Sequence, residues 1–392
     1  MSWLEEYRTQ FPAAAEGVYL DNAYDCGGTL IGKAAAERYF DDWKYAAVHN
    51  ERGGPGRATL FRTIDETREY LAELAGGAGP DRIAFTRNTN EGINAILQGF
   101  DFQPGDNIVT DGQEHESVLM PCLNAGRTRN IEVRIASIRE DGSVSIEELK
   151  SLADMHTRMI LVSHVQSATG YKIDLKTLGT WCRSKGIFLI VDGIQSLGLC
   201  PFLADEWGVD AVSASSYKGL CGTNSSAFTY YQPELLKHIW PVYTAAGPYM
   251  HVERNNKYSL YCDGEDKARK MENSSLDNIG IYIMHDSVKK LLEIGIDQIW
   301  EHINELYEQF YDGLVELGYT PVTPRDAEKR CGILSLKLED KEEFFAFMRS
   351  QNICLSISAG TYIRFSLGAF NNRADIETAL EAVRMYKTSK NL

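Results

Sequence analysis

Ile187-Phe188-Leu189-Ile190-Val191-Asp192-Gly193-Ile194-Gln195 and Val212-Ser213-Ala214-Ser215-Ser216-Tyr217-Lys218-Gly219 are the two stretches whose reading decides the fold. Each is an apolar or small-residue run that ends in a charged side chain. The first holds five apolar residues in a row, which suits a strand covered on both faces. Working outward, similar runs occur at Arg82–Thr86, Asn107–Asp111, Ile131–Ile135, Arg158–His164 and Ala227–Tyr231. Stretches with helical spacing separate them, among them Glu91–Gln98, Ile146–Ala153 and Leu175–Lys185. This alternation predicts an α/β domain built on a large, doubly wound and mostly parallel sheet.

The texture changes after residue 232. Residues 244–275 read as polar loop, with Gly247-Pro248 and the charged run Asp263–Lys270. Ile279–Leu317 reads as two amphipathic helices broken near Gly295. The remainder reads strand (Gly332–Leu338), helix (Lys341–Ser350), strand (Ile353–Ile357), strand (Thr361–Ser366), helix (Arg373–Lys387). The expected organisation is a large α/β domain over 18–245 and a smaller C-terminal α+β domain over 279–392, with residues 1–17 packing on the latter.

Composition narrows the function. The chain has 392 residues, 44% of them apolar and 24% charged, which rules out disorder for its bulk. Lys and Arg total 40 against 55 Asp and Glu, a net charge of −15. Such a surface repels phosphate backbones and anionic lipid, so neither nucleic acid nor membrane is expected as a partner. The opening Met1-Ser2-Trp3-Leu4-Glu5-Glu6 lacks a signal-peptide profile, and no run approaches the ~20 apolar residues of a spanning helix. The eight cysteines are scattered without metal-like or paired spacing. A cytoplasmic protein with reduced thiols and no bound metal is expected.

In open α/β sheets ligands settle at the carboxyl ends of strands. Three such ends carry chemistry. In Phe85-Thr86-Arg87-Asn88-Thr89-Asn90-Glu91-Gly92 a strand runs through hydroxyl and amide residues into a helix, a ready phosphate cradle or a plain helix cap. Asp192 closes an apolar strand, where its carboxylate either grips a basic ring nitrogen or sits solvated at a turn. Lys218 ends another, either as a desolvated amine able to form a Schiff base with an aldehyde or as a lysine reaching solvent. Ser215 and Tyr217 beside it offer hydroxyls to a phosphate. Taken together, a phosphate cradle, an acid for a ring nitrogen and an imine-forming lysine meet the needs of pyridoxal 5′-phosphate (PLP).

The order and spacing of these segments resemble the class V aminotransferase/cysteine desulfurase group of fold-type-I PLP enzymes. The resemblance runs from about residue 18 to 386. It is carried by Tyr19-Leu20-Asp21-Asn22-Ala23, Arg87–Asn94, Pro104–Ile108, Glu114-His115-Glu116-Ser117, Ser163-His164-Val165, Val191–Gln195 and Ser215-Ser216-Tyr217-Lys218. It implies that Lys218 forms the Schiff base, Asp192 partners the pyridine nitrogen, Gln195 and Ser167 contact the phenolic oxygen, and His115 stacks on the ring. Thr89, Asn90, Ser215 and Tyr217 would hold the phosphate. Ser275, in Glu272-Asn273-Ser274-Ser275, would reach the phosphate of a neighbouring subunit, which implies a homodimer. The catalytic set so expected is Lys218, His115 and Asp192.

Arg364 lies in the half-buried strand Tyr362-Ile363-Arg364-Phe365-Ser366. A guanidinium there needs an anion, supplied by an internal carboxylate or by a substrate α-carboxylate. The resemblance favours the substrate, with Asn22 as a second substrate-binding residue. Arg52, Arg57 and Arg62 are weaker candidates, and Gly53-Gly54-Pro55-Gly56 is either an active-site loop or a turn.

The departures from the pattern point to the reaction. Desulfurases carry a nucleophilic cysteine on a loop before the carboxylate-binding arginine, yet Ile353-Cys354-Leu355-Ser356-Ile357-Ser358-Ala359-Gly360-Thr361-Tyr362 is short, and its one cysteine falls within a predicted strand. Ser167 stands where desulfurases commonly have Asn. Tyr217 replaces the His often seen before the lysine and is similar to kynureninase. The expected activity is C–S bond cleavage (β-elimination) on a sulfur-containing amino acid, the alternatives being a class V aminotransferase and, third, an amino-acid epimerase. A non-catalytic protein on the same scaffold would have no need of Lys218, Asp192 and Arg364 together.

Overall fold

The apolar runs form the strands their sequences require. The structure is a computed structural model that describes residues 2–48, 55–245, 247–254 and 258–390. In chain order its strands are β1 (Val18–Tyr19), β2 (Ile83–Thr86), β3 (Asn107–Asp111), β4 (Glu132–Ala136), β5 (Thr157–Ser163), β6 (Phe188–Asp192) and β7 (Ala211–Ser215). There follow β8 (Ala227–Tyr231), β9 (Met250–Arg254), β10 (Tyr258–Cys262), β11 (Ile333–Lys337), β12 (Ile353–Cys354), β13 (Ser356–Ser358) and β14 (Tyr362–Ser366).

Seven strands make one sheet in the order β2-β8-β7-β6-β5-β3-β4. All its neighbouring pairs are parallel except those of β8, which runs against β2 and β7. β6, β7 and β8 are buried along almost their whole length between helices such as Thr89–Gly99 and Leu175–Lys185, which explains the unbroken apolar runs. The expected α/β architecture with a mostly parallel sheet is present.

Beyond the large sheet, β11-β14-β13 form a three-stranded antiparallel sheet. The helices Lys341–Ser350 and Arg373–Ser389 accompany it, and Phe344, Phe365 and Tyr386 meet edge to face in its core. The N-terminal helix Trp3–Arg8 is tied to the same region. Arg8 pairs with Asp375 at 2.7 Å, Phe11 stacks on Phe370 at 4.2 Å, and β1 pairs in parallel with β12. The long amphipathic stretch divides into Asn278–Ile294 and Ile296–Glu316 at Gly295, whose φ of 93° is a conformation other residues adopt at a cost.

Two stretches differ from their sequence reading. The strand expected over Ile353–Ile357 is split at Leu355 into β12, which pairs with β1, and β13, which pairs with β14. Within 244–275, β9 and β10 form an antiparallel hairpin. Its strands are largely exposed on both sides, so the apolar alternation that marks a half-buried strand carries no burial there.

Candidate active site

Strands β5, β6 and β7 end side by side, because Ser163 registers with Asp192 and Asp192 with Ser213. Their carboxyl ends open into a cavity of about 940 Å³. The structure brings ten of the residues singled out in the sequence to its walls: Thr89, Asn90, His115, Ser167, Asp192, Gln195, Ser215, Tyr217, Lys218 and Arg364.

At one end, the helix Thr89–Gly99 begins against β7. Asn88 caps it by accepting the Glu91 N–H at 2.8 Å. Thr89 and Ser215 lock reciprocally: the Thr89 N–H donates to Ser215 Oγ and the Ser215 N–H donates to Thr89 Oγ1, each at 2.9 Å. The two hydroxyl oxygens are 3.1 Å apart, and only one O–H can serve the bond between them. The other proton remains available to an anion. It lies beside the positive end of a helix.

On the floor, Asp192 is buried and accepts the Ile194 N–H at 2.9 Å, the only hydrogen bond to its carboxylate among the described residues. Burial pushes its pKa up to about 6. Lys218 is also buried. Burial, reinforced by Arg364 and opposed by Asp192, pulls its pKa down to about 8. Its Nζ lies 5.6 Å from the centre of the Tyr217 ring and forms no ion pair among the described residues. Gln195 is anchored by donating to the Ala23 carbonyl at 3.1 Å. His115 caps the helix Glu116–Arg129 by accepting the Ser117 N–H through Nδ1 at 3.1 Å, and burial lowers its pKa. The imidazole stands at the cavity wall.

Across the cavity, Arg364 donates from Nη1 to the Ser167 carbonyl at 2.9 Å and from Nε to Ser356 Oγ at 3.1 Å. Its Nη2 is 3.5 Å from Asp21 Oδ1. Both sequence readings of this arginine therefore meet in one place, a loose internal ion pair on a ligand cavity.

Other candidates lie elsewhere. Asn22 is buried and is not among the cavity-lining residues; its backbone N–H donates to the Ser366 carbonyl at 3.3 Å. Ser275 borders a second cavity of about 180 Å³. The segment before it is pinned by Glu272, which accepts from buried Arg68 at 2.8 Å and from the Phe85 N–H at 3.1 Å. Arg57 and Arg62 are exposed on the helix Pro55–Leu74, away from the cavity, while Arg52 and Gly53-Gly54 lie outside the described residues. Cys354 sits in β12, half-buried and paired in register with Tyr19.

Sequence reasoning passed over Glu114, Asp21 and Ser356. Glu114 is buried at the cavity edge with both carboxylate oxygens engaged. Its only signal in the sequence was its place directly before His115.

The family model for aminotransferase class-V matches residues 18–378. The chain belongs to the aminotransferase class-V family. With that membership goes PLP-dependent enzyme chemistry on an α/β fold of type I. Among curated relatives, a probable cysteine desulfurase of Methanothermobacter thermautotrophicus is 28% identical over 348 residues, covering 86% of this chain and 82% of that protein. Among solved structures, the apo cysteine desulfurase of Thermococcus onnurineus superposes with a TM-score of 0.87 at 21% identity, covering 100% and 99% of the two chains. A cystine C–S lyase in complex with its product cysteine persulfide gives 0.82 at 18% identity, covering 95% and 98%. At these identities the structural matches speak to the fold.

The cavity's donor set fits PLP. It offers a free hydroxyl proton at a helix start, a buried carboxylate that accepts one hydrogen bond and a buried amine that forms no ion pair among the described residues. No helix among the described residues is long and apolar enough to cross a membrane.

Proposed function

We propose that this enzyme cleaves a C–S bond in a sulfur-containing amino acid by β-elimination, with PLP held in the 940 Å³ cavity. When bound, PLP supplies an aldehyde to receive an amine and an electron-poor ring that takes up charge from the substrate Cα. Lys218 is the residue that attaches the cofactor and then takes the Cα proton at Nζ. Its lowered pKa leaves a useful fraction of neutral amine near pH 7. Asp192 holds the ring nitrogen's proton, and that positive charge supplies the counter-ion its buried carboxylate lacks. Thr89, Asn90, Ser215 and Tyr217 receive the phosphate, His115 covers the ring, and Gln195 and Ser167 face its phenolic oxygen. Arg364 binds the substrate α-carboxylate and so fixes which Cα bond is broken.

One observation carries the choice of a lyase over a desulfurase. β13 and the turn that follows it bring Ser356, Ile357, Ser358 and Ala359 to the cavity, and no cysteine lines that cavity among the described residues. Sulfur leaving the substrate therefore meets no thiol among the described residues of this chain that line the cavity. The test is incubation of the loaded enzyme with L-cysteine and L-cystine without any keto acid. Pyruvate with released sulfide or persulfide supports the lyase. Turnover that strictly needs an added keto acid assigns a transaminase instead.

The enzyme works as a homodimer in which Ser275 reaches the partner's phosphate site. Exposed Phe40, Trp43 and Phe61 on adjoining helices and Tyr258, Leu260 and Tyr261 on the β9–β10 hairpin support such an interface. Eight free thiols, six of them buried, support a reducing, cytoplasmic setting.

A further inference from the structure

Glu114 sits in the short connection between β3 and the helix Glu116–Arg129, one residue before His115. It reaches across to the chain leaving β5. One carboxylate oxygen accepts the Ser163 N–H at 2.8 Å and Gln166 Nε2 at 2.7 Å; the other bonds Ser163 Oγ. Gln166 in turn opens a tight turn, its N–H donating to the Tyr171 carbonyl and its carbonyl accepting the Gly170 N–H, both at 2.8 Å. Gln166 Oε1 is buried without a partner, so among the described residues Glu114 alone holds this side chain. The next residue in that turn is Ser167, whose carbonyl receives Arg364 Nη1 at 2.9 Å.

We propose that Glu114 is a positioning residue for substrate carboxylate binding: by clamping Ser163 and Gln166 it sets the Ser167 carbonyl that aims the Arg364 guanidinium into the cavity. This rests on the reading of Arg364 as the carboxylate's partner. A carboxyl group buried away from any cation costs free energy unless each oxygen is hydrogen-bonded. Glu114 meets that condition only through residues 163 and 166, so its bonds are concentrated on the segment that carries Ser167. Burial pushes its pKa up to about 7, and a glutamine can keep the two bonds accepted by the first oxygen and donate from its Nε2 to Ser163 Oγ in place of the bond the carboxylate accepts from that hydroxyl.

The test is a spectral titration of PLP-loaded wild-type enzyme, Glu114→Ala, Glu114→Gln and Arg364→Ala. Each is titrated with glycine and with methylamine, which offers the same amine without a carboxylate. Glu114→Ala is expected to raise half-saturation by glycine about tenfold, equivalent to ~1.4 kcal/mol, and to leave methylamine within about twofold. Glu114→Gln is expected to restore glycine to within about twofold of wild type. Gln166→Ala removes one arm of the same clamp and should shift glycine in the same selective way, which keeps the question open to measurement if Glu114→Ala does not fold. Glycine and methylamine shifting together, or glycine not shifting at all, overturns the proposal. If Arg364→Ala itself leaves glycine unchanged, the carboxylate reading of Arg364 has failed, and the role of Glu114 falls with it.

Discussion

The Arg364 guanidinium stands 3.5 Å from the Asp21 carboxylate, beyond the 2.7–2.9 Å of a charge-assisted hydrogen bond. Asp21 is better engaged elsewhere, accepting from Ser356 Oγ at 2.8 Å, and burial raises its pKa. Arg364 is thus a buried cation with an underused anion, and an incoming α-carboxylate competes with Asp21 for it. Arg364→Ala is expected to weaken amino-acid binding about 10- to 100-fold, since hydrogen bonds to charged groups contribute ~1.5–3 kcal/mol. Asp21→Asn is expected to tighten it. Glycine titrations of the loaded enzyme measure both, and weaker glycine binding by Asp21→Asn would mean that Asp21 orients the arginine instead of competing for it.

Lys218 should reveal its depressed pKa through its reactivity. Attachment of PLP requires the neutral amine, whose fraction rises as pH passes through about 8. Borohydride reduction after short exposure to PLP, followed by peptide mapping, should place the label on Lys218, with a yield that climbs from pH 7 and levels by about pH 9. Lys176 is a useful contrast. Its hydrogen bond to Glu206 raises its pKa, so its labelling should still be increasing there. A Lys218 profile that follows Lys176 would contradict the desolvated environment.

β6, which ends at Asp192, was legible because burial on both faces demands continuous hydrophobic residues; β7 ends at Ser215, three residues before Lys218, and its small-residue run was legible by the charged group that follows it. Parallel pairing of β6 with β7 then brings those ends together without further information. The Glu114 clamp was not legible. Its partners, Ser163 and Gln166, lie about 50 residues on, and contacts across a crossover leave no periodic trace. The loose Arg364–Asp21 pair was hidden in the same way, since β14 and the segment after β1 meet only in the folded chain. The β9–β10 hairpin escaped notice because exposed strands obey weaker compositional rules.

Asp192 makes a prediction about the unloaded protein. Its carboxyl group titrates near 4 in an unfolded chain and near 6 when folded. The native state therefore binds the proton more tightly. The resulting stability is fully present below about pH 4 and is lost as pH rises to about 6, a change of roughly 2–3 kcal/mol. Asp192→Asn removes this dependence. Melting curves of the PLP-free proteins should show the variant gaining on wild type between pH 4 and 6.5, while its affinity for PLP falls. Parallel wild-type and variant curves across that range would show that Asp192 is ionised throughout.

The reciprocal bonds of Thr89 and Ser215 make the phosphate cradle a unit. Thr89→Val deletes the Oγ1 that accepts the Ser215 N–H, leaving that buried N–H unpaired and removing a hydroxyl donor. Ser215→Ala does the same to the Thr89 N–H. Each substitution should weaken PLP binding about 10- to 100-fold. Because either change breaks the same pair, the double variant should lose much less than the two losses combined. Equilibrium dialysis against PLP measures this, and pyridoxal without its phosphate provides the control. Equal losses for the two ligands would place the damage in the fold and not in the phosphate site. Losses confined to PLP, with strong coupling between the positions, are expected if the free hydroxyl proton at the helix start is what meets the phosphate.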